Sequence, residues 1–129
     1  MIAIPIDSAS TDVKSSALFG NVDMFALYEP ETKSFKFIDN EASGNGIKTA
    51  KFLHDKGVTT TVYSYMGDGP FKELNQHNVD VFYIGKDPIG LSEIVQSLKE
   101  NKFTKVDSTN ASTYLDPGTA TENCTCGCK

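Results

Sequence analysis

The chain has 129 residues, 39% of them hydrophobic, with 12 cations, 17 anions and a net charge of −5. That length suits one domain with one buried core and leaves little room for a second. Every cation is a lysine and no basic patch forms, so sequence-independent attraction to nucleic acid has no source.

The opening MIAIPIDS lacks the charged segment and apolar run of a signal peptide. No stretch approaches the ~20 apolar residues of a membrane span. The expected location is the cytoplasm, where thiols stay reduced and clustered cysteines favour metal over disulfides. Asn110-Ala111-Ser112 and Asn123-Cys124-Thr125 match a glycosylation pattern that acts only in secreted proteins, and are read as chance.

Ile2, Ile4 and Ile6 alternate with Ala3 and Pro5, which predicts a strand, with Pro5 marking a strand end or a sheet edge. Residues 7–23, rich in Ser, Asp and Gly, read as a loop. MFALYEP and SFKFID follow as two strands of a hairpin turning at Glu29–Lys33, the second with one wet face. Ile47, Ala50 and Leu53 then recur at helical spacing, with Gly57 as a C-terminal stop. VTTTVYSY is β-branched and aromatic, hence a strand. MGDGP reads as a tight turn, FKELNQHN as a short helix and VDVFYIG as the last strand. Leu91, Ile94, Val95 and Leu98 share one stripe of a closing amphipathic helix.

The order β, hairpin, α, β, α, β, α calls for a largely parallel sheet covered by helices, with an antiparallel strand from the hairpin. This is an α/β sandwich of about five strands over residues 1–104. Residues 105–129 show no period and few large apolar side chains, and read as a mobile tail with Tyr114 and Leu115 docking on the body.

All three cysteines, Cys124, Cys126 and Cys128, fall within the last six residues. Thiolates bind soft and borderline metals. In an extended chain, residues two apart lie ~6.6 Å apart. Sulfurs around one zinc, each ~2.3 Å from it, lie closer, so the segment must curl. Gly127 permits that curl. Three thiolates leave a tetrahedral position for a body residue, a second chain, water or a cluster bringing its own sulfide. The C-x-C-G-C spacing is neither a zinc-finger nor a common ferredoxin pattern. Metal or cluster binding, zinc included, therefore competes with redox exchange and with no role at all.

Ligands of open α/β sheets gather at the carboxyl ends of parallel strands. Those ends carry Asp7-Ser8, residues 64–69 and residues 85–88. Gly67 and Gly69 precede a helix whose N–H groups face outward for an anion, although turn-making alone accounts for them. Asp7 and Asp68 suggest paired carboxylates for Mg²⁺, but no third acidic residue joins them. His54 and His77 read as surface residues, and no nucleophile–base set can be assembled. The expectation is no catalytic site.

Phe19, Gly20 and Phe25, then Asn40, Gly44 and Gly46, then Lys56-Gly57-Val58, and finally Met66 to Leu74 in the pattern M-G-x-G-x-F-x-x-L, occur in an order that resembles the dinitrogenase iron-molybdenum cofactor biosynthesis family. The resemblance covers roughly residues 1–104. It implies a ribonuclease-H-like three-layer sandwich with helices on both faces of a mixed sheet. It also implies a non-catalytic role: binding or carrying an iron–molybdenum or other metal–sulfur cluster between assembly and acceptor proteins, as a monomer or weak dimer. Phe19, Gly20, Gly44, Gly46, Gly67 and Gly69 become the cofactor-binding candidates, and Cys124, Cys126 and Cys128 the metal ligands. The family often carries His before Phe-Gly, where Leu18 stands here; the cysteines are then the replacement for that imidazole. The alternative is an anion- or protein-binding regulatory module with a redox-sensing cysteine tail.

Overall fold

A computed structural model describes residues 1–7, 13–16 and 19–115. The first strand, β1 (Ile2–Ile6), has Ala3 to Ile6 buried, as a strand covered on both faces requires. The hairpin β2 (Met24–Glu29) and β3 (Ser34–Asp39) adds two antiparallel strands on one side. On the other side β4 (Thr60–Tyr63) and β5 (Asp80–Tyr83) run parallel to β1. The strand order is β3-β2-β1-β4-β5-β6, with β6 (Thr104–Val106) antiparallel to β5.

Pro5 does not lie on a sheet edge, because β1 is interior. The β4 ladder covers only Ile2 and Ala3, so Pro5 sits where β1 has already left it. There a new neighbour takes over: the Ser16 amide donates to the Pro5 carbonyl at 2.7 Å, and Ser15 bridges Ile6. A residue without an N–H is tolerated where a ladder ends.

Three helices of nine or ten residues cover the sheet. α1 (Gly46–Asp55) starts at Asn45, whose side chain accepts the Lys48 amide at 3.0 Å. α2 (Asp68–Gln76) starts earlier than the sequence suggests, since Asp68, Gly69 and Pro70 form its first turn. Proline fits there because first-turn amides have no helical partner in any case. α3 (Leu91–Lys99) shows the expected apolar stripe. All three end alike, on a residue of positive φ: Gly57 (87°), Asn78 (61°) and Asn101 (57°). After α1 the amides of Gly57 and Val58 return to the carbonyls of His54 and Leu53, closing the last turn.

Strand alternation divides the core in two. Phe25, Leu27, Tyr63 and Val81 pack beneath Ala50 and Leu53 of α1 and Phe71 and Leu74 of α2. On the opposite face, Ile4, Ile6, Ala26, Val62 and Ile84 pack against Leu91, Ile94 and Val95 of α3. The result is a three-layer mixed α/β domain.

The sheet has six strands where the sequence suggests about five. β6 is three residues long with one buried side chain, Val106, too little to show a period. Residues 105–115, read from sequence as the start of a tail, carry the rest of β6 and a one-turn helix, α4 (Ala111–Tyr114). Tyr114 and Leu115 pack against the first core cluster. The cysteine-bearing end lies outside the described residues.

Leu53 is fully buried between α1 and the sheet. Leu53→Ala is expected to lower unfolding free energy by about 2–5 kcal/mol, measured by denaturant titration.

Candidate functional site

The carboxyl ends of β1, β4 and β5 point the same way, and the helices return from them, so the starts of α1 and α2 lie at that end. Here the motif glycines meet. A methyl group on Gly20 would lie 2.7 Å from the Gly46 Cα, and one on Gly46 would lie 2.4 Å from Cγ of Pro70. One on Gly69 would stand 3.1 Å from Cγ1 of Ile47. The Phe19–Gly20 turn, the start of α1 and the start of α2 therefore form one seam. Phe19, buried, turns its ring edge to Phe25 at 5.7 Å.

Gly44 and Gly67 differ from these three. A methyl group on Gly44 meets nothing within 4 Å, but its φ of +96° demands glycine. At Gly67 the nearest atom is 3.9 Å away. The structure thus brings together Gly20, Gly46 and Gly69 as a packing contact, leaves open space at Gly44, and leaves Gly67 only a loose contact with Pro70.

A buried polar knot holds the seam. The Asn40 side-chain amide donates to the Val22 carbonyl at 3.0 Å and lies 3.2 Å from the Thr49 hydroxyl. The Thr49 hydroxyl is also within hydrogen-bonding range of the carbonyls of Gly20 and Ala42, while Asn40 Oδ1 accepts the Ala42 amide at 3.0 Å. The Gly44 amide closes the knot on the Gly20 carbonyl at 3.0 Å. Each donor here finds an acceptor, as burial requires.

Beside the seam, at the ends of β4 and β5, lies a cavity of about 220 Å³ walled by Ser64, Tyr65, Tyr83, Lys86 and Thr113 to Leu115. Its floor is aromatic: Tyr83 sits between Tyr63 at 5.5 Å and Tyr114 at 5.3 Å. The Tyr63 hydroxyl donates to the Tyr114 carbonyl at 2.5 Å, and burial pushes its pKa far above the usual tyrosine value, so it stays a donor. The two large hydrophobic side chains exposed among the described residues, Ile47 and Tyr65, are both at this end. A second cavity, about 250 Å³, lies at the opposite end beneath α3, on Ile2, Phe82, Val95 and Leu98, away from every motif residue.

α4 is set by Asp107. Its carboxylate accepts the Thr109 hydroxyl at 2.5 Å and the amides of Thr109 and Asn110 at 2.9 and 3.2 Å. The Asn110 side chain completes the turn, donating to the Lys105 carbonyl and accepting the Asp107 amide.

Asp7 is exposed, and Asp68 pairs with Lys72 at 2.9 Å. Among the described residues no three His, Cys, Asp or Glu side chains converge as a metal site. Leu18 and Cys124, Cys126 and Cys128 lie outside them. Sequence reasoning missed one contact: the rings of His54 and His77 stack at 4.1 Å across α1 and α2, with His77 Nε2 2.8 Å from Glu73. Only the helix packing brings them together.

Gly20→Ala is expected to destabilise the fold by about 1–3 kcal/mol, because backbone must move. Gly67→Ala should stay within about 1 kcal/mol, both read by denaturant titration. The Thr109 hydroxyl and the neighbouring amides hold the Asp107 carboxyl below its usual range. A lowered folded-state pKa gives stability that is present above the ordinary value and lost as pH falls through the folded one. Hydrogen exchange at the Leu115 amide should therefore quicken as pH drops below about 4, after correction for intrinsic rates, and Asp107→Ala should remove that dependence.

Residues 1–101 match the family described as dinitrogenase iron-molybdenum cofactor. A search of curated proteins finds no significant match. Among solved structures, the apo form of the orange protein from Desulfovibrio gigas superposes with a TM-score of 0.75 at 21% identity, over 81% of this chain and 91% of that one. An NMR structure of a Thermotoga protein placed in the DUF35 family superposes with a TM-score of 0.69 at 22% identity, over 81% and 90%. Identities this low establish the shared fold alone, while the family match spans most of the chain and contains every motif glycine. The chain belongs to the dinitrogenase iron-molybdenum cofactor family.

Proposed function

We propose that this protein is a non-catalytic carrier of a metal or metal–sulfur cluster, of iron–molybdenum or iron–sulfur type, passed between assembly and acceptor proteins during iron–molybdenum cofactor biosynthesis. One observation carries the reading. The family's motif residues Phe19, Gly20, Gly44, Gly46, Gly67 and Gly69 gather at one end of the sheet, beside a cavity whose wall includes Leu115. Cys124 follows Leu115 by only nine residues. At ~3.3 Å per residue the chain between them reaches at most ~30 Å.

The division of labour follows from chemistry. The described body supplies no soft ligands in a group, so cargo ligation falls to Cys124, Cys126 and Cys128. The exposed Ile47 and Tyr65 supply apolar surface where a partner protein would receive the cargo. The first five strands in space, β3-β2-β1-β4-β5, with β2 alone running against the others and helices on both faces, support the ribonuclease-H-like reading. Thiol ligation needs a reducing compartment, for which we take the cytoplasm. No helix among the described residues is long and apolar enough to cross a membrane.

The test is anaerobic reconstitution with ferrous iron and sulfide, followed by gel filtration and metal analysis. The protein should retain iron and sulfide, and the variant carrying Cys124→Ser, Cys126→Ser and Cys128→Ser should lose both. Equal retention by the variant contradicts the role given to the cysteines.

A further inference from the structure

We propose that the cavity at the carboxyl ends of β4 and β5 is a binding site for a small tetrahedral oxyanion, held by the Lys86 ammonium and the hydroxyls of Ser64, Tyr65 and Thr113. The first observation is Ser64. It is 4% exposed, it lines the cavity, and among the described residues its hydroxyl has no hydrogen-bond partner. Buried hydroxyls are nearly always paired, so an unpaired one facing a cavity marks a place for something else to accept its proton.

The second observation is Lys86. Lys86 is exposed, forms no ion pair among the described residues and, unlike the other lysines without one, stands on the cavity wall. Asp87 follows it in sequence but does not line the cavity. Among the described residues the walls therefore present one ammonium, five hydroxyl-bearing side chains and no carboxylate. Such a set repels cations and has donors to spare, which suits an anion with several acceptor oxygens.

Size narrows the class. A volume near 220 Å³ is below the ~300–1,000 Å³ of pockets for drug-sized ligands. A phosphate-sized or molybdate-sized ion with a few waters is accommodated. Tyr63 and Tyr83 hold α4, which carries Thr113, against the sheet. The choice of molybdate as first probe rests on the carrier reading; the anion site itself does not.

The experiment is equilibrium dialysis of the full chain against molybdate and, separately, inorganic phosphate, with Lys86→Met, Ser64→Ala and a control, Lys36→Met, on the exposed side of β3. One anion should bind per chain, saturably. Lys86→Met should raise Kd about tenfold or more and Ser64→Ala about threefold or more, with Lys36→Met unchanged. Tighter binding of molybdate identifies a cargo precursor as the source, and tighter binding of phosphate a phosphorylated metabolite. Absence of saturable binding of either, or binding by both cavity variants equal to that of the original, overturns the proposal. The triple cysteine-to-serine variant should bind the anion as the original does. Loss of its metal with anion binding intact therefore separates this site from the thiol ligands, and each reading can fail without the other.

Discussion

Everything at the working end of this molecule depends on three backbones approaching without side chains between them. Gly20 lies against Gly46, and Gly46 against Pro70, at separations that a single methyl group would violate. That contact fixes where α1 and α2 begin. Beside them Gly44 faces open space and Gly67 meets only Pro70, at 3.9 Å. The knot of Asn40 and Thr49 is the polar counterpart of the seam, since it satisfies the carbonyls that close approach has removed from water. The glycines of the family pattern therefore divide by task. Some exist so that segments can touch, and others so that a loop can turn or remain accessible.

The strands and helices were largely legible because their periods are long enough to see. The alternation in Ile2, Ile4 and Ile6 and the helical spacing of Ile47, Ala50 and Leu53 both correspond to buried faces, apart from Ile47, which lies exposed at the helix start. What escaped was short or non-local. β6 has one inward residue, and the Asp68–Pro70 turn looks like a loop until its missing amide partners are recognised as those of a first helical turn. Pro5 pointed correctly to an end of pairing but not to its place, because a ladder can end in the middle of a sheet.

The site was legible to a different degree. The motif residues could be named in advance, yet their roles as contact or opening depend on what stands opposite each glycine. The strand ends at residues 64–69 and 85–88 were marked in advance as ligand ground, but the cavity that joins them to α4 had no sequence signature. Ser64, Lys86 and Thr113 lie on three separate segments, and only the parallel pairing of β4 with β5 and the pinning of α4 by Tyr63 and Tyr83 assemble them. The stacked pair His54 and His77 is a similar case, created by helix packing from residues that look unrelated in the chain.

The body and the cysteines thus carry complementary chemistry. One offers hydroxyls, an ammonium and an apolar rim, and the other offers soft anionic ligands. Hard oxyanions and soft metals prefer opposite partners, so a cargo containing both kinds of atom would use both. The most direct measurement is the metal and acid-labile sulfide content, with the absorption spectrum, of the full chain purified anaerobically, beside a version ending at Glu122. Iron or molybdenum with sulfide in the full chain, lost from the shortened one, is the result this account predicts. A full chain free of metal and sulfide under those conditions would contradict it.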